Sequence, residues 1–283
     1  VAGTSGTLIV NGGEFTASNT STDSNSRADL LLGLNGSTGR LEVRDGGTVT
    51  TTADAGQGRI GLLGATSAAA TILVDGAGSL VEASDYIGIG AGGASPRYGT
   101  VLLANGGCIK APTVEIFAGS LLGGIGCVQG NVINNGGFVV PGSSPGTLDI
   151  FGDYTQTGGT IDIEVNGFAP GQYDVLNVSG NTSFSNVVFR FIFGEGAQYL
   201  SGSSFDFINV AGSLSFSDIQ YEYLGTPQGL ETAITFSPDG FGVVFSGDVA
   251  GVPVPGAAAL FGLGLFGLGA LRRRRTVPEK VAA

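Results

Sequence analysis

Gly6-Thr7-Leu8-Ile9-Val10-Asn11-Gly12-Gly13 recurs as Gly39-Arg40-Leu41-Glu42-Val43-Arg44-Asp45-Gly46-Gly47 and as Ala70-Thr71-Ile72-Leu73-Val74-Asp75-Gly76-Ala77-Gly78. It returns as Gly99-Thr100-Val101-Leu102-Leu103-Ala104-Asn105-Gly106-Gly107, with a weaker copy at Asn131-Val132-Ile133-Asn134-Asn135-Gly136-Gly137. The first glycine of the pair falls at 12, 46, 76, 106 and 136, so the spacing settles to 30 residues. Each copy joins a β-branched run to an Asn/Asp-Gly turn, where positive φ costs little. A second short strand follows, such as Thr48 to Thr51 or Ser79 to Val81. A third apolar element with a central glycine completes the unit: Leu32-Gly33-Leu34, Ile60-Gly61-Leu62 and Ile87-Gly88-Ile89.

Three strands and three turns make one rung, and a single rung cannot bury its apolar face. Rungs must therefore stack about 4.8 Å apart with equivalent side chains in columns. The fold class expected is all-β, a parallel β-helix over residues 1–137. A β-sandwich would show longer alternating strands without a fixed period, and a propeller blade needs about 40 residues or more.

After Pro141-Gly142-Ser143-Ser144-Pro145-Gly146 the pattern changes. Thr147 to Ile150, Thr160 to Val165 and Tyr173 to Val178 read as longer, half-exposed strands, with more at Val187 to Phe193, Ser204 to Val210, Ala233 to Phe236 and Phe241 to Phe245. Many of the 17 Phe lie here, which suits a wider aromatic core. Residues 138–248 are expected either to close the helix as a C-terminal β cap region or to form a separate β domain.

Composition narrows the chemistry. The chain has 52 Gly and no Trp, His or Met, improbable for an ordinary enzyme domain. Without His, the Ser-His-Asp and Cys-His arrangements are absent, and a zinc site would have only two Cys to draw on. No cofactor and no metal are expected. Cys108 and Cys127 lie 19 residues apart and read either as a disulfide between adjacent rungs or as two buried free thiols. Asp149, Asp153, Asp162 and Glu164 raise a calcium site or a glycosidase pair, against which stands a solvated face opposite Ile161, Ile163 and Val165. Arg40, Glu42 and Arg44 alternate likewise and read as exposed cross-rung ion pairs.

The last 35 residues differ from everything before them. Val252-Pro253-Val254-Pro255 leads into the uncharged run Gly256 to Leu271, followed by Arg272-Arg273-Arg274-Arg275. No charge lies between Ala250 and Leu271, and 22 helical residues span roughly 33 Å, against about 30 Å of bilayer core. A single C-terminal transmembrane helix over residues 250–271 is expected, with the arginines holding its far end on the cytoplasmic side. Before residue 249 there are seven Lys and Arg against 22 Asp and Glu, a balance of −15. Such a surface repels nucleic acid, so no nucleic-acid partner is expected. Because the sequence holds no Met, Val1 is expected to follow processing or truncation of a precursor carrying a signal peptide.

Proline motif, apolar helix and arginine cluster, in that order, resemble the PEP-CTERM sorting signal of Gram-negative bacteria. Val252, Pro253, Pro255, the run Gly256 to Leu271 and Arg272 to Arg275 carry the match, and the family's best-known form has Glu where this chain has Val254. The Gly-rich units of residues 6 to 137 are similar to the strand-loop-strand repeats of autotransporter passengers and of many PEP-CTERM proteins. The order Pro-Gly-x-Ser-Pro-Gly-Thr-Leu, Asp153-Tyr154-Thr155-Gln156 and Tyr-Asp-Val-Leu-Asn-Val-Ser-Gly resembles the segment that closes autotransporter-type β-helices.

The resemblance implies an exosortase-like processing enzyme as partner and residues 249–283 as the sorting tail. It also implies anchoring in the inner membrane during sorting, then a place at the cell surface or outside the cell. The function expected is that of a non-enzymatic surface or matrix protein associated with exopolysaccharide or adhesion. The alternative is a β-helical polysaccharide lyase or hydrolase anchored at the envelope.

Overall fold

A computed structural model describes residues 5–246 except 35–36, 55–56, 66–69, 94, 143–144, 195–201, 226–230 and 238–239. The expected C-terminal helix over 250–271 lies outside the described residues. Among those described, no helix is long and apolar enough to cross a membrane. The described chain is all-β, with 23 strands numbered β1 to β23 in order.

They form three ladders. The first holds β1 (Ser5–Asn11), β4 (Thr38–Arg44), β7 (Ala70–Asp75), the first part of β10 (Gly99–Phe117) and the first part of β11 (Leu121–Asn135). It continues through β12 (Phe138–Pro141), β15 (Thr160–Val165), β18 (Val188–Phe193) and β21 (Gln220–Leu224). The second holds β2 (Glu14–Asn19), β5 (Thr48–Ala53), β8 (Leu80–Ala83), the middle of β10 and β11, then β13 (Thr147–Phe151), β16 (Val175–Val178) and β19 (Ser204–Val210). The third holds β3 (Arg27–Leu32), β6 (Gln57–Leu62), β9 (Tyr86–Ile89), the ends of β10 and β11, then β14 (Tyr154–Thr157), β17 (Thr182–Ser185) and β20 (Leu214–Ser217).

Within each ladder every pairing is parallel, the arrangement of a coil with three strands per turn and compatible with a β-helix. Leu41, Ile72, Val101, Leu122, Val139, Ile161 and Phe189 stack in register as one inward column, each fully buried. At the far end β22 (Glu231–Ser237) and β23 (Gly240–Ser246) form an antiparallel pair, and β23 lies antiparallel along β19. There the core widens with aromatic rings: Phe184, Phe189, Phe207 and Phe241 pack edge-on or tilted, 5.3 to 6.1 Å apart.

Corners are held by short-range chemistry. Asp45 and Asn105, each ahead of a positive-φ glycine, have φ of 51° and 50°, the left-handed turn that Asp-Gly and Asn-Gly favour. Another corner is a side-chain stack in which the Asn131 carbonyl oxygen accepts from the Asp153 backbone N–H, Asp153 from that of Asn181, and Asn181 from that of Ser213, at 2.7 to 3.0 Å. Asp153 is thereby a corner acceptor.

Two details of the repeat are corrected. Asn131 to Gly137 is not the fifth copy of the first-ladder motif: Val132 pairs with Val114 and Tyr154 on the third ladder, and the rung after Gly99 begins at Leu121. Strand pairing, not the sequence period, fixes the register, and a rung with shorter corners falls early. Likewise the partner of Ile60-Gly61-Leu62 is Leu30-Leu31-Leu32, two residues before the glycine-centred triplet Leu32-Gly33-Leu34.

Candidate functional site

The outward faces carry the polar chemistry. On the first, Arg40 and Arg44 both pair with Glu42, on the same strand. This corrects the cross-rung reading: outward residues two apart on one strand are already neighbours, and Glu42 is 7% exposed between Ile9 and Leu73 of adjoining rungs. Cross-rung pairs occur elsewhere, at Asp29 with Arg59 (2.8 Å), Glu82 with Lys110 (2.8 Å), and Arg190 with both Asp162 (3.4 Å) and Glu222 (3.1 Å). Burial raises the Asp162 carboxyl above its ordinary value, opposed by the Arg190 charge. On the third face the Tyr86 hydroxyl donates to Glu115 at 2.7 Å, and the Asn135 amide donates to its other oxygen at 2.7 Å. Among the described residues no group of three or more Cys, Asp or Glu is placed to hold a metal ion.

Cys108 and Cys127 are register partners on β10 and β11 with Cα atoms 4.6 Å apart, joined by a disulfide. Val252, Pro253, Val254, Pro255 and Arg272, Arg273, Arg274, Arg275 lie outside the described residues.

From the disulfide, a shallow groove runs along the second face. Its first hollow is lined by Gly106, Cys108, Cys127, Ile125, Asp149 and Phe151. The next shares Asp149 and Phe151 and continues along Asn177, Ser179, Asn209 and Ala211. Two outward columns build it. In one, Cys127, Asp149, Asn177 and Asn209 stack in register. The Asn177 amide donates to Asp149 Oδ1 at 2.8 Å, and the Asn209 amide to Asn177 Oδ1 at 2.9 Å. In the other, Phe151 stands over Gln129 and, one residue past the paired Ile150 and Val178, is followed by Ser179 and then Ala211. Phe151 is 56% exposed.

Sequence reading does not single out Asn209 or Phe151, and meets Asn177 only as the start of the triplet Asn177-Val178-Ser179, a glycosylation pattern common by chance. A signal exists, because Leu148-Asp149-Ile150, Leu176-Asn177-Val178 and Ile208-Asn209-Val210 repeat one apolar-polar-apolar triplet at equivalent positions. It is too short to stand out before the rungs are aligned.

One buried acid lies apart from the groove. Asp174 is 1% exposed; its Oδ1 accepts from the Gly146 N–H and its Oδ2 from the Glu164 N–H, both at 2.8 Å. Burial pushes its carboxyl up to about 7; the two backbone donors oppose this, and Glu164 and Asp162 add to it. The folded chain therefore holds a proton there that the unfolded chain releases near pH 4. This group's contribution is fully present below about pH 4 and is lost as pH rises through 7. Urea midpoints between pH 4 and 8 should show a downward component with rising pH that is absent in Asp174→Asn. The variant should also be less stable at pH 5, since an amide nitrogen cannot accept the second N–H. An identical pH profile in the variant would refute this assignment.

No protein-family profile matches this chain, and no curated protein matches it.

Proposed function

We propose that this is an exported, non-enzymatic surface or matrix protein: a stiff parallel β-helix whose groove face meets glycan, delivered by the PEP-CTERM-like tail. The observation that carries the non-enzymatic part is the groove lining, one carboxylate beside Asn, Ser and Phe with no Lys or Arg. A lyase or hydrolase needs an acid and a base, or an acid and a cation, converging on one bond. Several carboxylates outside the groove engage in ion pairs or backbone hydrogen bonds, as at Asp29, Glu82, Asp162 and Asp174. The exported part then works as a spacer and contact surface, its acidic balance of −15 keeping it soluble.

In the sorting step Val252, Pro253, Val254 and Pro255 mark the processing region for an exosortase-like enzyme. The run 250–271 holds the chain in the inner membrane, and Arg272 to Arg275 stop transfer. Replacing Pro253 and Pro255 together by Ala should leave the protein in the membrane fraction and cut surface labelling of intact cells by tenfold or more. Unchanged surface labelling with unchanged mass would refute the sorting role of the proline motif.

A further inference from the structure

We infer that the hollow bounded by Phe151, Ser179, Ala211 and the Asp149, Asn177 and Asn209 ladder binds the sugar rings of an uncharged polysaccharide. The inference rests on the reading of this protein as a glycan-facing scaffold and names the class of glycan.

Shape comes first. Along one outward column an aromatic residue is followed by two small ones, so the Phe151 ring rises as a wall beside a floor of Ser179 and Ala211. Its exposed face offers a sugar ring's C–H face the apolar contact that it would otherwise leave in water. The opposite wall is polar and ordered. The Asn209 and Asn177 amides each spend one N–H inside the ladder, which fixes their orientation. Each amide nitrogen carries a second N–H and Asp149 a second carboxylate oxygen, so the column that lines the hollow keeps donors and an acceptor beyond those used in the ladder. Hydroxyl groups, which both donate and accept, match that mixed wall. An apolar surface with a few oriented polar groups is the general form of a small-molecule site.

Charge then selects among glycans. The lining contains Asp149 and no cation. The nearest cation along the Phe151 column is Lys110, two rungs away and paired with Glu82 at 2.8 Å. A uronate, sulfate or phosphate would bring a second anion beside Asp149, on a part of the chain, before residue 249, already at −15. An uncharged hexose chain meets no such cost. Length also follows from the geometry: the hollow beside the disulfide shares Asp149 and Phe151 with the one along Asn177 and Asn209, so the groove accepts several consecutive rings along the coil axis.

The test is glycan-array binding of the full chain in mild detergent, with neutral hexose oligomers and polyuronates side by side, followed by titration calorimetry. Binding to a neutral oligomer is expected, weakened at least tenfold by Phe151→Ala and several-fold by Asn209→Ala, with thermal midpoints unchanged because both positions are exposed. Polyuronates should not bind, even at low salt. If polyuronates bind in preference and Phe151→Ala abolishes that binding, the charge argument falls while the glycan-facing scaffold stands. If neutral oligomers bind with equal strength to both variants, the site is wrong. If no glycan binds at all, this inference and the glycan part of the proposed function fall together. Surface delivery is tested separately by the proline variants.

Discussion

Gly124→Ala is expected to cost about 3 kcal/mol or more, enough to remove a large part of the stability of a typical domain. Gly124 sits at a corner of β11 with φ of +106°, a conformation that residues with a Cβ rarely adopt. It pairs with Leu103 of the rung beneath, at the last partnership before the β10–β11 register shifts. A Cβ there would overlap the Leu103 carbonyl oxygen, far inside van der Waals contact, and lie within 2.8 and 2.9 Å of the Leu103 carbonyl carbon and nitrogen. Those are backbone atoms, which cannot swing aside without moving the rung. Backbone strain of about 1–3 kcal/mol and overpacking of about 1–3 kcal/mol therefore act together. Gly13→Ala is the control, because a Cβ at Gly13 meets nothing within 4 Å. It should shift stability by less than about 0.5 kcal/mol. Urea unfolding of the two variants should separate them clearly. Equal midpoints would mean that the rungs do not approach at Gly124 as described.

Losing the disulfide has the second-largest expected effect. Cys108 and Cys127 close a loop of 19 residues, for which chain entropy in the unfolded state corresponds to about 3 kcal/mol. For a chain of this size that is roughly 10 °C in thermal midpoint. Cys108→Ala with Cys127→Ala removes the bond without leaving a lone thiol, and the double variant should melt lower by that amount. Reductant should lower the parent to match and leave the variant unmoved. A parent insensitive to reductant would show that the bond contributes little. The pair also forms one end of the groove, so the double variant should weaken glycan affinity less than Phe151→Ala does, Phe151 lying in both hollows.

The early rungs were legible because their first-ladder strands advertise themselves. Leu8, Leu41, Ile72 and Val101 head equivalent β-branched runs, and Asp45-Gly46 or Asn105-Gly106 marks the same corner each time. What failed was the assumption that a glycine pair always marks that corner. Gly136-Gly137 lies between the third ladder and β12, because the rung from Leu121 has shorter connections than its predecessors. Corner length is cheap to vary, since side chains such as Asn131 can satisfy the turn, whereas the inward columns cannot slip without exposing core. Short polar strands such as β14, β17 and β20 were missed for the complementary reason. Thr182 to Ser185 has little apolar alternation of its own, and stacking on Tyr154 to Thr157 below it and Leu214 to Ser217 above it makes it a strand.

The groove was hidden by the same logic. Asp149 is an ordinary exposed acid in sequence, and Asn177 and Asn209 are 28 and 60 residues further on. Only the coil stacks them within hydrogen-bond reach, and only stacking leaves Phe151 standing above Ser179 and Ala211.

The exported-scaffold account is tested most directly by the intact mass of the chain recovered from the outside of cells. The account predicts a mature form that ends within or near Val252-Pro253-Val254-Pro255 and lacks Arg272 to Arg275. A surface-exposed chain whose mass still includes the arginine cluster, or a chain found wholly in the cytoplasm, would contradict it.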